Sequence, residues 1–189
     1  MNRAVFLDKD GTLVKDVPYN VDPSKICLGA GAMEAVRSLS SAGYQLIVIT
    51  NQSGVARGYF PEAALTAVRQ RLHELLVDAG ASLSGFYYCP HHPDGSVANY
   101  AVNCHCRKPQ PGLIQQAADE HQLELSQSWF IGDILNDVEA GRLAGCRTVL
   151  LDNGNETEWV LSRQRLPHHV VANLAEAARV IIGLDRDKI

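Results

Sequence analysis

Asp8 and Asp10 stand two residues apart in FLDKDGTL (6–13), and Asp133 and Asp137 stand one helical turn apart in GDILND (132–137). Between them in the chain lie Thr50, in TNQSG (50–54), and Lys108, in RKP (107–109). Carboxylates, a hydroxyl and a lysine are the groups that phosphoryl transfer uses. A transferring phosphoryl group spreads negative charge over its oxygens, so it needs cations and hydrogen-bond donors around it. Asp8 and Asp133 offer the carboxylate oxygens that a hard cation such as Mg2+ prefers. With the phosphate charge shielded, Asp8 could attack phosphorus and form an aspartyl-phosphate. Asp10 could protonate the leaving oxygen and then activate water. Thr50 and Lys108 would hold the phosphoryl oxygens. Each fragment has a plainer reading when taken alone. DKDGT is good turn chemistry, Thr50 could be a strand-end core residue, Lys108 a solvated side chain, and Asp133 the cap of a following helix. An EF-hand calcium loop would need a third acid and a distal glutamate, and both are missing. Taken together and in this order, the six residues favour the catalytic reading.

A second group has metal-ligand spacing. Cys89-x-His91 is followed, after twelve residues, by Cys104-x-Cys106. Three thiolates and an imidazole fill a tetrahedral zinc shell and leave no position for water, which points to a structural zinc. His92 and His105 are nearby, and either could take the place of His91. The chain has five cysteines, an odd number that argues against a disulfide framework. The plain alternative is a set of idle thiols. A nucleic-acid zinc ribbon would bring more Lys and Arg than this loop holds. The remaining two cysteines, Cys27 and Cys146, have apolar neighbours and are expected in the core.

The elements that must position these groups follow from apolar patterning. Residues 4–8, 44–50, 86–89, 128–133, 147–152 and 168–173 read as strands. Residues 32–42 place Met33, Val36 and Leu39 at helical spacing, with Gly43 as the stop. A second helix opens at Pro61 and ends at Gly80. Others are expected from Pro111 to about His121, over about 136–144, and over the closing run 174–183. Residues 90–103 have no periodicity and read as a loop. Strands alternating with helices imply an α/β fold, a parallel sheet covered on both faces. In such sheets ligands gather beyond the carboxyl ends of the strands. Asp8, Thr50 and Asp133 all fall at such ends. No internal repeat, linker or low-complexity segment divides residues 1–189, which read as a single domain.

Composition excludes other classes. Of 189 residues, 46% are hydrophobic and 20% charged, as in ordinary soluble proteins. The net charge of −4 carries no footprint for nucleic acid. No apolar run reaches the roughly 18 residues of a membrane span. The first residues lack the apolar stretch of a secretory signal. A cytoplasmic protein is expected, where thiols stay reduced.

The four motifs FLDKDGTL, TNQSG, RKP and GDILND, in that order over at least residues 4–152, resemble the haloacid dehalogenase (HAD) superfamily of phosphatases. In particular the chain resembles the D-glycero-D-manno-heptose 1,7-bisphosphate 7-phosphatases, and next the histidinol-phosphatases that share their zinc loop. The resemblance implies a three-layer Rossmann-like fold without a cap domain, since the spacers between motifs are short. It implies Asp8 as nucleophile and Asp10 as general acid/base. It implies Mg2+ on the side chains of Asp8 and Asp133 and the main-chain carbonyl of Asp10. Thr50 and Lys108 would stabilise the phosphoryl group, and Arg107 would help select substrate. Asp16 to Tyr19 and the segment Thr50, Asn51, Gln52, Ser53 would line the pocket. The zinc loop, about residues 89–106, agrees with the family's. These enzymes often carry a lysine after the fourth-motif aspartate, where this chain has Ile134. Asp137 would meet the metal through water or orient its neighbours. Arg57 is either a phosphate contact or a solvated loop residue. The implied partner is a small sugar phosphate, with neither nucleic acid nor membrane, and the expected state is a monomer. The implied pathway supplies activated heptose for bacterial lipopolysaccharide. Other readings are histidinol-phosphate hydrolysis, a phosphotransferase, and a non-catalytic zinc-stabilised binding module.

Overall fold

The computed structural model describes residues 2–186. Six strands form one sheet in the order β3-β2-β1-β4-β5-β6. They are β1 (Ala4–Leu7), β2 (Gln45–Asn51), β3 (Leu83–Cys89), β4 (Trp129–Gly132), β5 (Arg147–Leu151) and β6 (His169–Val171). Every neighbouring pair is parallel. The helices are α1 (Ala32–Ser41), α2 (Leu65–Asp78), α3 (Gly112–His121), α4 (Leu135–Ala144) and α5 (Leu174–Arg186).

The central strands are apolar on both faces because both are covered. On one face Val5, Leu7 and Val48 join Val36 and Leu39 of α1, Val68 and Leu72 of α2, and Ala178 and Ile181 of α5. On the other, Phe6, Ile49 and Phe130 meet Leu113, Ile114 and Ala117 of α3 and Ala140 of α4. The buried positions of α2 (Leu65, Val68, Leu72 and Leu76) recur every three or four residues, the spacing of one helical face.

The chain runs outward from β1 through β2 to β3, then returns to pair β4 with the other side of β1. That reversal opens a crevice at the carboxyl ends of β1 and β4, the usual ligand site of such sheets. Register places Leu7 opposite Ile131, so the residues just beyond, Asp8 and Asp133, emerge together.

The spacers match the capless expectation. Between β1 and β2 there is only a 3-10 turn, Pro23–Lys25, and α1. Four local readings change. The helix expected from Pro61 begins with a 3-10 turn, Glu62–Ala64, before α2. Strand β3 starts at Leu83 rather than at residue 86, and the loop after it contains a 3-10 turn, Ala98–Tyr100. Cys146 is buried as expected, but Cys27 is exposed and is not a core residue. Its segment is extended, so Ile26 faces inward and Cys27 outward. Among the described residues no helix is long and apolar enough to cross a membrane.

Candidate active site

The turn after β1 places its acids through tight local bonding. Asp8 N–H donates to Ile131 C=O at 3.0 Å, which ties the start of the turn to β4. Gly11 has φ +82°, a left-handed conformation that suits glycine. A Cβ there would stand 2.0 Å from Asp133 Oδ2, so the residue must be small as well as left-handed. Gly132 is equally constrained, since its Cβ would lie 2.3 Å from Asp137 Oδ2.

Asp8, Asp133 and Asp137 each offer an oxygen within 4.8 Å of the others, and all three are buried. Lys108 Nζ enters this group. It donates to Asp8 Oδ1 and to the Ile49 carbonyl at 3.0 Å, and lies 2.7 Å from Asp137 Oδ1. The solvated alternative for Lys108 is therefore ruled out: the side chain is 3% exposed. Burial opposes its charge, but Asp137 and Asp8 outweigh that and hold its pKa above the ordinary lysine value. One lysine does not neutralise three carboxylates. Burial, then the charges of Asp8 and Asp137, push Asp133 up to about 7. Burial pushes Asp137 up to about 6 while Lys108 pulls it down. Such a site has an excess of negative charge and hard oxygen donors, and it fits Mg2+. Asp137 orients Lys108 and also accepts from Ile134 N–H at 3.4 Å at the start of α4. Ile134, not Asp133, is the N-cap residue of that helix.

A pH prediction follows. The folded-state pKa values of Asp133 and Asp137 lie above 3.8, so the folded protein binds more protons than the unfolded chain. Their contribution to metal-free stability is therefore lost as pH rises from about 4 through 7. Asp133→Asn removes part of this effect. Metal-free Asp133→Asn is expected to melt a few degrees above metal-free wild type at pH 8, with the gap closing near pH 5. Thermal melts in chelator at both pH values check it, and a pH-independent gap contradicts it.

Asp10 stands outside the trio. Its carboxylate accepts from Lys9 Nζ and, at 3.2 Å, from Gln52 Nε2. Gln52 Nε2 also donates to Thr50 Oγ1 at 2.9 Å. Burial raises the Asp10 pKa, with Lys9 opposing, which suits a group that must hold a proton.

The cysteine cluster assembles as the spacing implies. Sγ atoms of Cys89 and Cys104 are 3.5 Å apart, those of Cys106 and Cys89 3.1 Å, and those of Cys106 and Cys104 3.2 Å. His91 Nδ1 lies 3.3 Å from Cys106 Sγ and 3.8 Å from Cys89 Sγ. These separations suit four ligands around one tetrahedral Zn2+. Burial raises the thiol pKa values of Cys89 and Cys106, so a cation is what would let them ionise. The spare histidines are elsewhere: His92 Nε2 faces Arg57 Nη2 at 3.2 Å, and His105 is exposed.

The other expected pocket residues divide. Arg107 and Lys108 line a cleft of about 500 Å³ with Gln110 and Asn136. Asp16 lines a separate cleft with Gly11, Lys15, Asn153 and Asn155. Tyr19 is half-exposed and meets Tyr59 edge-on at 4.7 Å, which places its ring outside the buried carboxylate group. Asn51 turns to the main chain of Lys108, and the Ser53 carbonyl accepts from Arg57 N–H at 3.0 Å. Two residues escaped the sequence reading. Asn155 donates to Asp133 Oδ2 at 2.5 Å, and Asn153 donates to Gly11 C=O at 2.8 Å. Both follow β5, so the rule of carboxyl strand ends was the signal that could have found them.

Comparison with known proteins adds the lineage. The profile of the HAD-hydrolase-like family matches residues 105–177. A D-glycero-beta-D-manno-heptose-1,7-bisphosphate 7-phosphatase from Yersinia pestis is 40% identical over 168 residues, 84% of this chain and 89% of the relative. The protein of that name from Pasteurella multocida is 38% identical over 185 residues, 97% of this chain and 99% of the relative. The crystal structure of a D,D-heptose 1,7-bisphosphate phosphatase from B. bronchiseptica, complexed with magnesium and phosphate, superposes with a TM-score of 0.79. It is 29% identical and covers 96% of this chain and 99% of its own. Fold and site together define a phosphatase of the HAD class, a phosphoric monoester hydrolase. Within that class the chain belongs to the D-glycero-beta-D-manno-heptose-1,7-bisphosphate 7-phosphatase family.

Proposed function

We propose that this chain, acting as a single cytoplasmic domain and a monomer, removes the 7-phosphate of D-glycero-D-manno-heptose 1,7-bisphosphate. The observation that carries the reading is the meeting of Asp8, Asp133 and Asp137 around Lys108 at the sheet's reversal. Mg2+ held by Asp8, Asp133 and the Asp10 carbonyl would shield the phosphate charge when bound. Asp8 attacks phosphorus, and the P–O bond to the sugar breaks as the aspartyl-phosphate forms. Asp10, whose pKa is raised by burial against the pull of Lys9, gives a proton to the leaving oxygen when it acts as the general acid. It then takes a proton from the water that attacks the aspartyl-phosphate and releases phosphate, restoring Asp8. Thr50 and Lys108 hold the phosphoryl oxygens.

The second phosphate needs a cation outside the carboxylate group. Arg57 Nη2 faces His92 Nε2 at 3.2 Å and Arg107 Nη1 donates to His91 C=O at 3.3 Å. Neither has a carboxylate partner among the described residues. This pair of uncompensated cations suits a doubly phosphorylated sugar. Ile134 favours a second reading, histidinol phosphate, because it leaves one fewer cation at the mouth of the site. Phosphate release with magnesium, compared across the α- and β-heptose 1,7-bisphosphates and histidinol phosphate, tests the choice. A heptose bisphosphate with the highest kcat/KM supports the first reading. Histidinol phosphate as the better substrate overturns it.

A further inference from the structure

Asn51 was expected to contact substrate, but its side chain is committed to the main chain of another functional residue. Its Nδ2 donates to Lys108 C=O at 3.1 Å, and its Oδ1 accepts from Lys108 N–H at 3.0 Å. One planar amide thus grips both polar groups of residue 108 across 57 positions of sequence. The base of this grip is rigid. Asn51 is the last residue of β2 and lies opposite Cys89 of β3 in the ladder. The next residue, Gln52, donates its N–H to Cys89 C=O at 2.8 Å. Cys89 also opens the thiol cluster, whose Cys106 is two residues before Lys108. A closed circuit results: Asn51 to Cys89 through the ladder, Cys89 to Cys106 through the cluster, Cys106 to Lys108 along the chain, and Lys108 back to Asn51 through the amide.

From this circuit we infer that Asn51 is a positioning residue that acts through Lys108 and sets where its ammonium meets the phosphoryl group. The cysteine cluster fixes the chain before Lys108, and Asn51 fixes Lys108 itself. Without the amide, residue 108 would be held from one side only. Its Nζ has several acceptors, Asp8 Oδ1, Asp137 and Ile49 C=O, so the side chain would stay buried but no longer be set at one place. A displacement of about 1 Å in a charge-stabilising group can cost up to about a hundredfold in rate. The inference rests on the proposed role of Lys108.

The test is a double-mutant cycle on phosphate release from heptose 1,7-bisphosphate, with zinc content and melting temperature recorded for each protein. Asn51→Ala is expected to lower kcat about tenfold or more with little change in KM, and to change the residual rate of Lys108→Met by less than about twofold. Asn51→Asp, which keeps the acceptor for Lys108 N–H but sets an acceptor against Lys108 C=O, is expected to fall between wild type and Asn51→Ala. If the Lys108→Met rate sinks to that of Asp8→Asn, the same cycle is read as the Kd for inorganic phosphate by calorimetry. Equal losses from Asn51→Ala in both backgrounds would mean that Asn51 meets the substrate itself, and the inference falls. It falls also if Asn51→Ala is fully active. A Lys108→Met protein with wild-type activity would instead overturn the reading of Lys108.

Discussion

Asp8→Asn is expected to lower phosphate release by on the order of 10⁵-fold while the protein keeps its fold. An amide cannot act as the nucleophile, and no neighbouring carboxylate is free to replace it. Asp137 lies 2.7 Å from Lys108, and Asp133 is engaged by Asn155 at 2.5 Å. Asp10 is turned toward Lys9 and Gln52. The substitution nearly conserves volume, and it removes one charge from a buried group of three acids. Metal-free Asp8→Asn relieves like-charge repulsion from Asp133 and Asp137 but gives up the ion pair with Lys108, so it should melt close to metal-free wild type at neutral pH. That pairing, intact stability with lost turnover, separates a missing nucleophile from a damaged fold. A variant that retains more than about a hundredth of the wild-type rate would show that water attacks the ester directly.

The second large effect is expected from emptying the cysteine cluster of zinc. Chelation that strips zinc and is followed by excess magnesium is expected to leave the enzyme inactive, and zinc alone is expected to restore it. Residues 90–103 lack an apolar face; mid-loop they are held by Val97 N–H donating to Ala56 C=O at 2.9 Å and Tyr100 Oη donating to Glu62 Oε2 at 2.6 Å, and the cysteine cluster adds the hold at their ends. Those ends are Cys89 at the end of β3 and the pair Cys104 and Cys106. Binding of structural zinc contributes folding free energy on the order of 10 kcal/mol. Arg107 and Lys108 follow Cys106 directly, so a released cluster frees both cations. Cys106→Ser should act in the same direction. Activity measured alongside zinc content by atomic absorption checks the prediction. Full activity in zinc-free protein would separate the cluster from catalysis.

Much of the site was legible because it lies at strand ends. Asp8, Thr50 and Asp133 each close a short apolar run, and a parallel sheet collects such ends on one rim. The cysteine cluster was legible from spacing, since four ligands with two short gaps leave few alternatives. Other features depend on distant pairing that no local pattern encodes. The grip of Asn51 on Lys108 requires β2 to end beside the loop after β3, and the contact of Asn155 with Asp133 requires the chain to return over the site after β5. Lys9, which carries no role in the sequence reading, is 2% exposed and pairs with Asp10. Cys27 was misplaced because its neighbours Ile26 and Leu28 are apolar, whereas an extended segment sends alternate side chains to opposite sides.

The most direct measurement follows the two phosphates of the heptose 1,7-bisphosphate by 31P NMR during turnover with magnesium. The account predicts that the primary ester signal at C7 disappears as inorganic phosphate grows, that the anomeric phosphate at C1 stays, and that Asp8→Asn leaves the spectrum unchanged. Loss of the C1 signal first, or turnover by Asp8→Asn at the wild-type rate, would contradict it.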